Sequence, residues 1–331
     1  MTDQTTRRVL LAHEFGAPES FVLTPRDPGL PGPGKVRIRM HAAGVSFVDI
    51  LVAAGKYQVK PPLPMVPGSE CAGVIEAVGE GVAPARIGQR VMACGFGFAF
   101  AEAAVIPEKL AIPIPDAMGF AEGAVFQVSY ATAYYALVQR AALKPGETLL
   151  VLGAAGAVGC AAIELGVALG AKVIASASSP EKRALTLATG AAQANDSRSA
   201  TWRDDLKAAN GGKGVDVVVD PIGGGATELA FRSLAWGGRQ VVIGFASGEI
   251  PRLPTNLVLL KGAALLGVEL RLFCENEPET AAANMKALFA LYGAGKLHPP
   301  IAQTYRFEDF APAMYRAAAG DAAGRIVLLM D

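Results

Sequence analysis

The chain has 331 residues, enough for two domains with separate cores. Hydrophobic residues make up 52%, and Lys+Arg and Asp+Glu are both 30, so the net charge is zero. A neutral chain with no basic run is not built for nucleic acid or an anionic membrane surface, and four scattered cysteines without a C-x-x-C pair point to a reducing cytoplasm, not a disulfide framework.

No segment reads as a signal peptide or a membrane span. The most apolar one, Gly153 to Ala177, is cut by Glu164, Lys172 and several glycines. The first third reads as strands and turns: Val9–Ala12, Lys35–Ala43, Gly73–Val78, Gln89–Ala93 and Ala103–Pro107. A proline-glycine loop, Pro25 to Gly34, separates the first two. This is the pattern of a small antiparallel barrel. From Ala121 the pattern changes. A helix over Ala121–Ala142 ends at Lys144-Pro145-Gly146. Strands then alternate with helices. The strands are Thr148–Leu152, Lys172–Ala177, Val215–Asp220, Arg239–Gly244 and Ala263–Val268. The helices lie near Pro180–Thr189, Ala200–Asn210, Ala226–Ala235 and Glu277–Ala294. Such alternation predicts an α/β fold with a doubly wound parallel sheet. The last stretch, from Ile301, holds a strand, a helix over Phe307–Ala319 and a strand over Arg325–Met330, and is predicted to return to the first domain.

The most informative segment is the strand Leu149–Leu152, followed at once by Gly153-Ala-Ala-Gly156-Ala-Val-Gly159 and an apolar helix over Cys160–Ala171. Strand, glycine turn and helix in that order are the context in which a glycine motif binds a dinucleotide, with the pyrophosphate on the N–H groups that open the helix. Gly156 lets the backbone approach the phosphates, and Gly159 lets helix pack on strand. Ala154 replaces the first glycine of G-x-G-x-x-G, with Gly153 just before it. A tight βα turn without ligand has the same glycines, but the strand Lys172–Ala177 arrives where a βαβ unit needs it.

The tip of that strand chooses the dinucleotide. An acid there binds the ribose 2′-OH of NADH. Here Ser176, Ser178 and Lys182 stand instead, and hydroxyl donors with a cation suit the 2′-phosphate of NADPH. The alternative for Lys182 and Arg183 is a solvated helix start.

Taken in order, several segments resemble the medium-chain dehydrogenase/reductase superfamily, and within it the zinc-independent NADPH:quinone oxidoreductase group. They are Ala42–Asp49, Gly55-Lys-Tyr57, Val66–Val74, Val78-Gly-Glu-Gly81, Gly88-Gln-Arg-Val91, Leu143–Glu147, the glycine turn, Gly244–Pro251 and Gly324-Arg-Ile-Val327. The resemblance implies a GroES-like antiparallel β-barrel domain over 1–124, completed by 297–331, and a Rossmann domain over 125–296. Where zinc members carry a Cys and a Gly-His-Glu, this chain has Ser46 and Gly68-Ser69-Glu70. No metal is therefore expected, and with no Lewis acid alcohol oxidation is disfavoured. The implied activity is hydride transfer from NADPH to a quinone or similar conjugated carbonyl. The alternatives are a 2-enoyl thioester or enone reductase, or a crystallin-like NADPH-binding protein without turnover.

By the same resemblance, Tyr57 corresponds to a cleft tyrosine that donates a proton, its other possible role being packing. Ser46 stands where quinone reductases often have Asn. Tyr130 and Thr132 begin a helix placed beside the nicotinamide. Ala157 and Val158 touch pyrophosphate through their amides, Ile222 lies beside the adenosine or ribose, Phe245 and Ala246 line the nicotinamide ribose, and Arg325 matches a basic residue at the cofactor. Asp196 stands where the family often has a tyrosine near the 2′-phosphate. Asp49, Glu70 and Asp220 are read as structural acids. Homodimer formation is expected through the edge strand Ala263–Val268.

Overall fold

The computed structural model describes residues 6–320 and 322–330; positions 1–5, 321 and 331 of the ranges assigned above lie outside the described residues. In chain order the first elements are β1 (Arg7–Leu11), β2 (Val22–Arg26), β3 (Lys35–Val45), α1 (Phe47–Ala53), β4 (Glu70–Val78), β5 (Arg90–Cys94), β6 (Ala103–Pro107), β7 (Ile112–Pro113) and α2 (Phe120–Tyr134). A parallel βα series follows: β8 (Thr148–Val151), α3 (Ala157–Ala168), β9 (Lys172–Ala177), α4 (Pro180–Ala188), β10 (Gln193–Asp196), α5 (Trp202–Ala209), β11 (Val215–Asp220), α6 (Gly224–Arg232), β12 (Leu234–Val242), α7 (Thr255–Lys261), β13 (Ala264–Gly267), α8 (Leu270–Asn276) and α9 (Pro278–Gly293). The chain closes with β14 (Ile301–Arg306), α10 (Phe310–Ala319) and β15 (Arg325–Leu329). It divides into two compact units, 1–128 with 301–331, and 129–300, so one division falls inside α2.

The first unit is a seven-membered sheet in the order β14-β15-β3-β4-β5-β7, with β6 paired to β3, beside the β1-β2 ribbon. Pairing is antiparallel throughout except for β14 with β15, which run parallel because α10 connects them as a crossover. β3 alternates buried and exposed residues over its first half and then buries Ala42 to Val45 completely. Its inward side chains Val36, Ile38 and Met40 meet Ile75, Val91, Ile106, Phe100, Phe307 and Leu328 in one apolar core.

The second unit is a six-stranded, all-parallel sheet in the order β10-β9-β8-β11-β12-β13. The order reverses between β8 and β11, the switch point where such sheets bind ligands at their C-terminal ends. β8 is buried along its whole length, as expected for a strand covered on both faces.

The sequence expectation has no counterpart for β2, α1, β7, α7 and α8, and three further places differ from it. The single helix over Ala121–Ala142 is α2 followed by a π-helical turn, Tyr135–Arg140, closed by the Ala141 N–H on the Ala136 carbonyl at 2.8 Å. Arg239 donates to the carbonyls of Ala141 (2.7 Å) and Ala142 (3.2 Å), groups a continuing helix would use itself. Ala235, expected to end a helix, and Trp236 to Gly238, left between that helix and the next strand, belong to β12, because Val215 pairs with Leu234 and Lys261 donates to the Leu234 carbonyl. β10 has no apolar period to reveal it; its place comes from parallel pairing with β9.

Candidate functional site

In the second unit the glycine turn is built as tightly as its composition demands. Gly153 has φ +55, and a Cβ there would lie 2.6 Å from Ile222 Cδ1. A Cβ on Gly159 would lie 2.5 Å from the Gly153 carbonyl oxygen and 2.7 Å from Ala154 Cα, so only glycine lets α3 sit this close to the turn. Gly156 is the N-cap of α3, exposed, with φ −79 and ψ 173 and no side-chain cap. The first amides of a helix have no partner inside it. Those of Ala157 and Val158 thus open the helix uncapped, at its positive end. This cradle fits the pyrophosphate of a nicotinamide dinucleotide.

The neighbouring strand ends converge on the turn. The Ala154 N–H donates to the Ser176 carbonyl at 3.2 Å, tying the turn to β9. Asp220, fully buried at the end of β11, accepts from the Ile222 and Gly223 amides (3.0 Å each), Thr227 Oγ1 (2.6 Å) and Gln240 Nε2 (2.9 Å). One carboxylate thereby shapes the Ile222 loop. That loop in turn holds the next one: the Ala246 amide donates to the Pro221 carbonyl (3.1 Å) and the Ser247 amide to that of Ile222 (2.9 Å). Gly153, Ile222, Phe245 and Ala246 are thus brought together, with Phe245 41% exposed.

Two hydroxyls sit differently from expectation. Ser176 is buried and its Oγ accepts from Trp202 Nε1 at 2.9 Å, so it faces α5 and not the strand tip. Tyr130 is 1% exposed and donates to Glu164 Oε2 at 2.7 Å. Glu164 also accepts from the His298 amide, 3.0 Å to each oxygen, and burial pushes its carboxyl up despite these donors. Sequence reasoning missed this cluster; its signal was a lone acid in an otherwise apolar helix. At the β9 tip, Ser178 is half-buried, and Ser179 accepts from the Lys182 amide at 3.3 Å as the α4 cap. Thr132 is buried within α2.

In the first unit Ser46 caps α1. Its Oγ donates to Asp49 Oδ2 (2.7 Å) and accepts from the Asp49 amide (3.1 Å), while its own amide donates to Asp49 Oδ2 (2.8 Å). Burial raises the Asp49 carboxyl; hydrogen bonds from Ser46 and Ser69 oppose this. Two neutral hydroxyls and one carboxyl that resists ionisation do not fit zinc, which takes thiolate, imidazole or carboxylate. Among the described residues no three His, Cys, Asp or Glu side chains gather as a metal group. Cys71 beside them is pushed up to about 12, mainly by burial. Glu70 Oε2 lies 3.0 Å from Arg325 Nη2, and its Oε1 accepts from the Val128 amide at 2.9 Å. Arg325 is therefore buried against a carboxylate on the barrel. Tyr57 is half-buried, its ring tilted against Phe96 with centroids 5.9 Å apart.

The comparisons agree with this fold. Residues 32–116 match the alcohol dehydrogenase GroES-like domain, and 157–287 match the zinc-binding dehydrogenase family. A human quinone oxidoreductase is 33% identical over 333 residues, covering 99% of each chain. A mycobacterial protein solved in complex with NADPH superposes with a TM-score of 0.89 at 28% identity, covering 98% of this chain and 100% of its own. The CurK enoyl reductase superposes with a TM-score of 0.88 at 25% identity, covering 99% and 100%. With a Rossmann-like sheet, a GroES-like unit and these relatives, the chain belongs to the quinone oxidoreductase group of the medium-chain dehydrogenase/reductase superfamily.

Proposed function

We propose that the protein is an NADPH-dependent reductase that delivers a hydride to a quinone or similar conjugated carbonyl without a metal. The observation that carries this reading is the uncapped α3 N-terminus against the Gly153–Gly159 turn. The amides of Ala157 and Val158 bind the pyrophosphate, Gly156 lets it approach, and Gly153 and Gly159 let the turn and α3 pack closely enough to form the cradle. Ser178 and Lys182 serve the ribose phosphate, with Ser176 holding the strand tip to Trp202. Thr132, Ile222, Phe245 and Ala246 line the ribose and nicotinamide end. Bound NADPH supplies the hydride.

The acceptor gains a proton as well, and Tyr57 holds that proton at its phenolic oxygen and stabilises the developing oxyanion. Ser46 and Asp49 form a polar wall where zinc relatives carry ligands. With Tyr130 committed to Glu164 and Arg325 to Glu70, we assign both to positioning. A second reading, reduction of a 2-enoyl thioester by the same Tyr57, is favoured by the likeness to an enoyl reductase. Two copies pair through β13, the apolar edge of the sheet. Four scattered cysteines without a C-x-x-C pair fit a cytoplasmic setting; no helix among the described residues is long and apolar enough to cross a membrane.

The test is oxidation of NADPH followed near 340 nm with 1,4-benzoquinone or with crotonyl-CoA. Chelator-resistant, quinone-dependent loss of absorbance, faster with NADPH than NADH, supports the first reading. Turnover with the thioester alone supports the second. Silence with both overturns the reductase reading.

A further inference from the structure

Two strands, not one, decide which charges stand at the tip of β9. β9 ends at Ala177, and Ser178-Ser179 follow with no acid. The parallel register places Asp196, the last residue of β10, directly beside Ala177. Neighbouring strands lie about 4.8 Å apart, so this carboxylate arrives sideways at the level where an acid would otherwise end β9. It meets Arg183 there. Arg183 Nη1, from the first turns of α4, lies 3.0 Å from Asp196 Oδ2 and donates to the Ala177 carbonyl at 3.4 Å. Asp196 Oδ1 accepts from the Arg198 amide at 2.9 Å. The glycine turn reaches the same strand end through the Ala154–Ser176 hydrogen bond. The ion pair is therefore one strand across from the uncapped α3 N-terminus.

We propose that Arg183 and Asp196 together set the choice between NADPH and NADH. This rests on the dinucleotide reading above. A guanidinium carries five donors in a rigid fork, so Arg183 can keep the Ala177 carbonyl on one edge and present another to a 2′-phosphate. Such a phosphate carries about two negative charges and makes charge-assisted bonds to it. Asp196 acts in the opposite direction. It competes for the guanidinium and repels the phosphate, yet it can accept from a free 2′-hydroxyl. The chain thus holds a phosphate-selecting group and a hydroxyl-selecting group in contact, both partly exposed, with side-chain accessibilities of 23% and 41%. Their removal moves specificity in opposite directions.

The test is direct titration of NADPH and of NADH, by nicotinamide fluorescence, into the wild-type protein and into R183A, D196N and R183Q/D196N. R183A is expected to weaken NADPH about tenfold and to leave NADH nearly unchanged, the scale of one partly exposed charge pair with a phosphate. D196N is expected to tighten NADPH by about fivefold and to weaken NADH. Where R183A lowers the melting temperature by stranding Asp196, the comparison of D196N with R183Q/D196N isolates Arg183. A tenfold gap in NADPH affinity between those two supports the proposal, and equal affinities overturn it. A wild-type protein that binds neither dinucleotide overturns the dinucleotide reading and this inference with it. Intact wild-type binding with an unmoved NADPH/NADH ratio in both single variants overturns this inference alone.

Discussion

Gly156 and Gly159 stand three residues apart in one turn, and the structure gives them opposite jobs. At Gly159 an added Cβ would meet three backbone atoms at 2.5 to 2.7 Å, and backbone cannot rotate away as a side chain can. Overpacking typically costs about 1–3 kcal/mol, and this site belongs in the upper half of that range. For a unit the size of 129–300, which holds Gly159, each kcal/mol lowers the melting temperature by roughly 2–4 °C, so in G159A this unit should melt about 4–12 °C lower. At Gly156 the backbone is ordinary extended chain, and the nearest atom to a new Cβ is the Gly153 oxygen at 3.2 Å. G156A should shift the melting temperature far less than G159A, because its Cβ asks one carbonyl oxygen to give by only a few tenths of an ångström and alanine reduces the freedom of the unfolded chain. The new methyl would instead stand at the open amides. Losing one hydrogen bond to a charged phosphate costs about 1.5–3 kcal/mol, or roughly a 10- to 150-fold loss of NADPH affinity. Calorimetric melting and nicotinamide fluorescence titration of both variants settle it. The reasoning is refuted by a G156A protein that binds NADPH normally, or by a G159A protein as stable as the parent.

Replacing Tyr57 by phenylalanine should lower acceptor reduction by about 10²- to 10⁴-fold at unchanged NADPH affinity, read by steady-state kinetics beside a binding titration. Arg239 lies 2.8 Å from Glu147 and holds its carboxyl below the usual carboxylate range, the hydrogen bond being the main cause. A depressed carboxyl contributes stability that is present above its unfolded pKa of 4.5 and lost as pH falls through the folded value. E147Q should therefore lower stability at pH 7 and flatten the acid limb of a denaturant-midpoint profile; an unchanged limb would count against the pair. His41 stacks on Phe120 at 4.4 Å, and burial, then Arg39 and Arg90, hold its imidazole below 6.5. The folded state thus binds the proton less readily than the unfolded one, so stability falls as pH drops below 6.5. H41Q should remove that slope between pH 7.5 and 5.5 in urea unfolding.

The β8–turn–α3–β9 unit was readable because everything that builds it is contiguous: an apolar strand, glycines at fixed offsets and an apolar helix. Asp49 and Asp220, read as structural acids, bond to near neighbours in the chain, Ser46 in one case and the Ile222 and Gly223 amides in the other. What was not readable depends on register and on distant chain. Ser176 looked like a strand-tip hydroxyl, yet strand alternation turns it to Trp202, 26 residues on. Glu70 and Arg325 are separated by 255 residues, and only the return of β15 beside β3 brings them together. Asp196 could be seen as a departure from the family, but its place beside Ala177 needed β10 to be found as a strand. The π-helical turn left no mark in the pattern, since its cause includes a guanidinium about 100 residues away.

The two rims of the parallel sheet are unlike. β10, Gln193-Ala-Asn-Asp196, is polar and ends in a charge, whereas β13, Ala264-Leu-Leu-Gly267, is apolar, with Leu265 44% exposed. A sheet adhesive on both rims can lengthen without limit, each added copy offering a fresh rim to the next. A sheet adhesive on one rim cannot. Once β13 meets β13 about a twofold axis, both apolar rims are consumed and only polar ones face outward. In the β13 pairing proposed above growth would stop at two, and the same asymmetry would keep the protein from running on into fibres.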